Sequence, residues 1–136
     1  MNPPLQYERG YKYQVYADYG IQTAIKGYDV HEDFFSLDKS GWIIVKRGYA
    51  WDGASGPTID TKSSMVSSLV HDVFYQLLRE GHLPHDPCFH IANEELRRLC
   101  ENDGMWRWRA TMWFDFVEQF GTAFAAVQPD KVFTAP

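Results

Sequence analysis

The spacing of apolar residues changes once along this chain, and that change limits the folds open to it. Up to about residue 50 the pattern is short and alternating, as strands require; beyond about residue 60 apolar residues recur three and four apart, as helices require. Tyr11 to Tyr19 alternates and is rich in Tyr and Val, and Ile21 to Ile25 is a second short strand candidate. Phe34-Phe35-Ser36-Leu37 and Trp42-Ile43-Ile44-Val45 flank Asp38-Lys39-Ser40-Gly41, four turn-forming residues with a glycine able to take a positive φ. A hairpin is expected there. Tyr49 to Thr58 carries Gly53, Gly56 and Pro57 and reads as a loop.

In the second half, Val66, Leu69, Val70, Val73, Phe74, Leu77 and Leu78 keep one helical face. Ser63 or Ser64 is the candidate N-cap and Gly81 the stop. Leu83 to Pro87 reads as a linker. Phe89, Ala92, Leu96, Leu99 and Cys100 mark a second helix, and Ala110, Trp113, Phe114, Val117, Phe120 and Phe124 a third. The expected layout is a single domain over residues 1–136 with a β-rich part at about 11–50 and a motif loop at about 51–60. Helices follow at about 63–80, 88–102 and 108–126, and then a loose tail at about 129–136. Strands followed by helices, segregated rather than alternating, make an α+β fold: a small N-terminal antiparallel β-sheet and a three-helix C-terminal half.

Composition excludes several function classes. A chain of 136 residues with 45% apolar and 16% aromatic residues can build one core and is not disordered. A net charge of −5 argues against nucleic acid as a partner, because that binding rests on Lys and Arg neutralising phosphates. No apolar run reaches the ~18 residues of a transmembrane segment. Met1-Asn2-Pro3-Pro4 has neither a basic flank nor an apolar stretch, so no secretory signal peptide is expected. On one continuous helix Cys88 and Cys100 would lie roughly 18 Å apart, beyond disulfide reach, so both are expected as buried thiols in a reducing compartment.

The residues able to carry chemistry cluster in three places. On the first helix His71 and Tyr75 share a face, with Ser68 one turn before, while Asp72 points about 100° away. The pair reads either as a His base beside a carboxylate that holds a metal, or as a surface His-Asp pair. Trp51-Asp52-Gly53-Ala54-Ser55-Gly56-Pro57 offers a carboxylate, a hydroxyl and accessible carbonyls to a hard cation, or else forms an Asx-type turn. Asn93 falls inside the apolar stripe of the second helix. Buried there, it either accepts from an imidazole N–H and fixes that ring's tautomer, or caps a loop carbonyl. In Trp106-Arg107-Trp108-Arg109, core and rim packing is favoured over contact with lipid or single-stranded nucleic acid, with Trp113 on the core face. His31, His82, His85 and His90 lack the paired spacing of a zinc site.

Taken together, "WDGASGP", "HDVFY" and "ANEEL" resemble a family of small phage and prophage proteins of unknown function. That family carries an Asp-x-Ala-Ser-x-Pro loop, a His-Asp-x-x-Tyr helix, an Ala-Asp helix and a closing Phe-Gly. Asp52, Ala54, Ser55, Pro57, His71, Asp72, Tyr75, Ala92 and Phe120-Gly121 match, over roughly residues 34 to 121. The same elements are distantly similar to secreted and parvoviral phospholipases A2. That similarity implies a base at His71, with Asn93 and Tyr75 completing the catalytic set. It also implies a Ca2+ site made of Asp72, Asp52, Gly53, Ser55 and Gly56, and a phospholipid or other ester as substrate. Asn93 departs from the pattern, which has an Asp there: an amide oxygen accepts from imidazole but brings no charge. The phage resemblance implies a protein of the infected host's cytoplasm or of the virion, partnered by other phage structural proteins. In that setting the same residues could act as a structural clasp without catalysis. Inhibition of a host enzyme is a third expectation, resting on the acidic charge and the aromatics.

Overall fold

In the computed structural model, residues 5, 7–8, 13–51 and 62–122 are described. They form an α+β fold in two compact units, a β unit within residues 1–52 and a helical unit within residues 53–133. The β unit holds β1 (Tyr7–Glu8), β2 (Tyr13–Val15), β3 (Tyr19–Gln22), β4 (Val30–His31), β5 (Phe35–Leu37), β6 (Trp42–Val45) and β7 (Ala50–Trp51). All pairings are antiparallel, in the orders β1-β2-β7 and β3-β6-β5-β4.

Two sheets stand where one was expected, and the reason is local. Tyr13 faces Trp51 and Tyr19 faces Val45, so one register runs through both sheets and is interrupted between Val15 and Tyr19. At the break the Asp18 carboxylate accepts the Arg47 backbone N–H at 2.8 Å, and the Arg47 guanidinium lies over the Tyr16 ring. Residues 11–19 are therefore not one strand, and the second strand is Tyr19–Gln22 rather than 21–25. The expected loop from Tyr49 also starts too early, because Ala50 and Trp51 pair with Gln14 and Tyr13 as β7. Glycine and proline density beyond Trp51 hid a strand whose partner is nearly forty residues away.

The hairpin of β5 and β6 forms as its turn residues dictate. Asp38 Oδ1 accepts from the Ser40 N–H, the Ser40 hydroxyl and the Trp42 N–H, while Gly41 N–H donates to the Asp38 carbonyl. Gly41 takes φ +90°, and a Cβ there would run into the carbonyl oxygen of Thr23. Alternation then buries one face, with Ile21, Phe35, Leu37, Ile43 and Val45 all at most 2% exposed.

The helical unit holds α1 (Lys62–Arg79), α2 (His85–Asn102) and α3 (Arg107–Phe120), with α2 packed against both others. α1 is buried on most sides, from Leu69 and Val70 through Val73, Phe74, Leu77 and Leu78. It begins at Lys62, so Ser63 and Ser64 lie in its first turn rather than at its cap. It ends as expected: Gly81 N–H reaches the Leu78 carbonyl and His82 N–H the Leu77 carbonyl. α2 repeats this closure, with Gly104 N–H on Glu101 and Met105 N–H on Cys100. At its start Asp86 is extended, as a residue before proline tends to be, so regular helix begins beyond the expected linker. Leu96, Cys100, Met105, Ala110, Trp113 and Val117 form the core between α2 and α3. Cys88 and Cys100 are buried free thiols on α2, and the Cys100 thiol donates to Ser67 Oγ at 3.0 Å.

The described part of α3 is less buried than its pattern implied. It closes at Phe120, which is 52% exposed, so the apolar face runs only from Ala110 to Val117. Phe124, the rest of the expected helix to 126 and the tail at 129–136 lie outside the described residues. Trp106 and Trp108 are 70% and 59% exposed and do not pack into a core, whereas Trp113 does. Among the described residues no helix is long and apolar enough to cross a membrane.

Candidate functional site

Two helices deliver three polar side chains to a single buried amide on a third. α1 supplies His71 and, one turn later on the same face, Tyr75, whose ring centroid lies 4.0 Å from the imidazole. α2 supplies Asn93, fully buried within its apolar stripe. α3 supplies Glu118, the residue after buried Val117. His71 Nε2 is 2.7 Å from Asn93 Oδ1, and the Tyr75 hydroxyl donates to the same oxygen at 2.8 Å. Asn93 Nδ2 donates to Glu118 Oε2 at 2.6 Å.

This arrangement fixes the protonation of the ring. A carboxylate only accepts, so the NH2 end of the amide must face Glu118 and the oxygen must face His71 and Tyr75. An oxygen that accepts from the ring requires the proton on Nε2. Nδ1 is then the nitrogen with the lone pair, and so the basic one. Burial of the imidazole, 7% exposed, brings its pKa down to about 4, with the Asn93 hydrogen bond opposing the shift. His71 is therefore neutral near pH 7. Burial also pushes the Tyr75 hydroxyl above its usual range, and the negative charges of Glu118 and Asp72 act the same way.

The network continues outward. Glu118 Oε1 takes His90 Nδ1 at 2.6 Å, and Glu94 lies 3.1 Å from His90 Nε2, one turn along α2. The Glu118 hydrogen bond above all, with Glu94 helping, raises the His90 pKa above its ordinary value, the reverse of His71. Two histidines thus sit on one chain of hydrogen bonds, one buried and neutral, the other exposed and stabilised as a cation.

Close approach completes the site. Gly121 caps α3, and a Cβ on it would run into the Tyr75 hydroxyl and the Val117 carbonyl. Gly121→Ala is therefore expected to push Tyr75 off Asn93 and cost about 1–3 kcal/mol by overpacking. Thermal melts of the variant check this, and an unchanged midpoint would mean the ring moves aside freely.

No known protein family, curated protein or solved structure matches this chain.

Of the residues singled out in the sequence, His71, Tyr75 and Asn93 are brought together. Asp72 is half-buried on the adjacent face of α1. Asp52, Gly53, Ser55 and Gly56 lie outside the described residues. Asp72 is the one described member of the expected calcium set, an ion that takes six to eight oxygens. Three members of the network were missed: His90, set aside for want of metal-ligand spacing, its neighbour Glu94, and Glu118. The i,i+4 spacing of His90 and Glu94 was a visible signal for the first.

Proposed function

We propose that the chain is a hydrolase of carboxylic esters, phospholipid acyl esters included, with His71 as general base, encoded by a phage or prophage like the family it resembles. The observation that carries this reading is the 2.7 Å contact between His71 Nε2 and an Asn93 oxygen whose orientation is fixed from behind. It leaves a neutral imidazole with its lone pair on Nδ1. In the reaction Nδ1 takes a proton from water as the oxygen attacks the acyl carbon. The tetrahedral intermediate collapses with cleavage of the acyl–oxygen bond, and the imidazolium returns the proton to the departing alkoxide. Asn93 and Tyr75 position the base and do not touch the substrate.

A panel of chromogenic esters and mixed phospholipid vesicles tests this with wild type and His71→Gln. Turnover that falls about 10²–10⁴-fold in the variant is expected for loss of a general base. Equal turnover in both proteins, or none in either, would sink the reading.

A specific observation favours a second reading, a non-catalytic clasp in a virion or assembly protein. A buried imidazole with a pKa near 4 is a weak base, and the hydrogen bonds that meet on its partner Asn93 tie three helices together. That reading requires the chain in purified particles in fixed ratio to another phage protein, with no turnover at any stage.

A further inference from the structure

Asn93 is neutral where the phospholipase-like pattern calls for a carboxylate, yet a carboxylate stands one hydrogen bond further out. We infer that Glu118 is the positioning residue of His71, acting through the Asn93 amide to decide which ring nitrogen carries the lone pair. The inference rests on the reading of His71 as a base, and it concerns what makes Nδ1 the basic atom.

A primary amide offers a donor end and an acceptor end of nearly the same shape, and a half-turn exchanges them. His71 and Tyr75 do not themselves decide the orientation. Imidazole can donate or accept through Nε2, and a hydroxyl can do either. Glu118 can only accept. Its Oε2 holds the Asn93 NH2 group at 2.6 Å, the short distance of a charge-assisted bond. Removing that acceptor frees the amide to turn its NH2 toward His71. The ring would then accept through Nε2 and carry its proton on Nδ1, where no lone pair remains to activate water. Glu118 is itself held by His90 through Oε1 at 2.6 Å, so its carboxylate is fixed at both oxygens. The other charged or titratable groups acting on this set are Glu94 from α2 and Tyr75 and Asp72 from α1.

The same geometry explains why an Asp at position 93 would not serve here. It would bring two carboxylate oxygens to the 2.6 Å now spanned by an N–H···O bond, and two carboxylates that close cannot both ionise. Asn93 and Glu118 are a matched pair. The exchanged pair, Asn93→Asp with Glu118→Gln, keeps one charge and every hydrogen bond, but moves the charge next to the ring.

Nitrogen-15 spectra of the histidine rings in the full chain read the tautomer directly. Wild type is expected to show His71 protonated on Nε2. Glu118→Leu should populate the Nδ1-protonated form in at least a tenth of molecules, and Glu118→Gln, whose amide can present either end to Asn93, should populate it detectably too. The double variant, whose carboxylate at position 93 can only accept, should keep the Nε2 proton. A single Nε2-protonated form in Glu118→Leu would overturn the inference. Should the leucine variant fail to fold, Glu118→Gln decides, and a single Nε2-protonated form overturns the inference there. Ester turnover measured alongside separates the two claims: a wild type without turnover removes the hydrolase reading, while the tautomer result stands or falls independently.

Discussion

Asn93→Leu is expected to destabilise the protein by about 3 kcal/mol, the largest effect of any single substitution at this site. Leucine has the branched heavy-atom skeleton of asparagine and suits the apolar stripe of α2, so the loss does not come from a cavity. It comes from stranding the groups that meet on the amide. The Nε2–H of His71 and the hydroxyl of Tyr75 both lose their acceptor, and a buried donor left without a partner costs about 1–3 kcal/mol. Glu118 loses a donor as well, but its carboxylate is partly exposed and water can replace Asn93 there. Tyr75→Phe calibrates the result, because it removes one donor and leaves nothing unsatisfied on its own side; about 1 kcal/mol is expected. Urea unfolding with unchanged slope reads both values from the midpoints. A loss under 1 kcal/mol for Asn93→Leu would mean the amide is not the hub of the three helices.

That hub was half legible in the sequence. Helical spacing alone places His71 and Tyr75 on one face and Asn93 inside an apolar stripe, and a buried amide must find partners. Glu118 was not legible. Whether it meets Asn93 depends on the rotational phase of α3 against α2, and neither helix's own period encodes that. The same distinction runs through the fold. The turn at Asp38 to Gly41 is built from residues within four positions of each other, and its hairpin forms where local chemistry puts it. β7 depends on pairing with Tyr13 and Gln14, and local composition pointed to a loop instead. α3 misled in another way. An apolar spacing of three and four marks a helix, but it does not say how far along that helix a neighbour extends, so Phe120 is exposed while Val117 is buried.

Stability should also fall by about 3 kcal/mol as pH drops from about 6.5 to about 4, through His71 alone. The sign follows from where the proton is tolerated. In the unfolded chain the imidazole titrates near its model value of 6.5, whereas in the folded protein burial holds it at about 4. Between those values the unfolded state binds more protons, so stability rises with pH across the window and is fully present above it. A difference of about 2.5 units corresponds to about 3 kcal/mol at 1.36 kcal/mol per unit. Carboxylates elsewhere also weaken the fold in acid, so the informative quantity is wild type minus His71→Gln, measured by urea unfolding at intervals from pH 7.5 to 4.5. That difference should shrink toward acid by most of this amount. His90 works the other way. Its raised pKa gives stability that is present below 6.5 and is lost as pH rises through the folded value, so His90→Gln should remove a loss on the alkaline side and leave the acid limb intact. If the acid limb is unchanged in His71→Gln, the imidazole is not held neutral by burial.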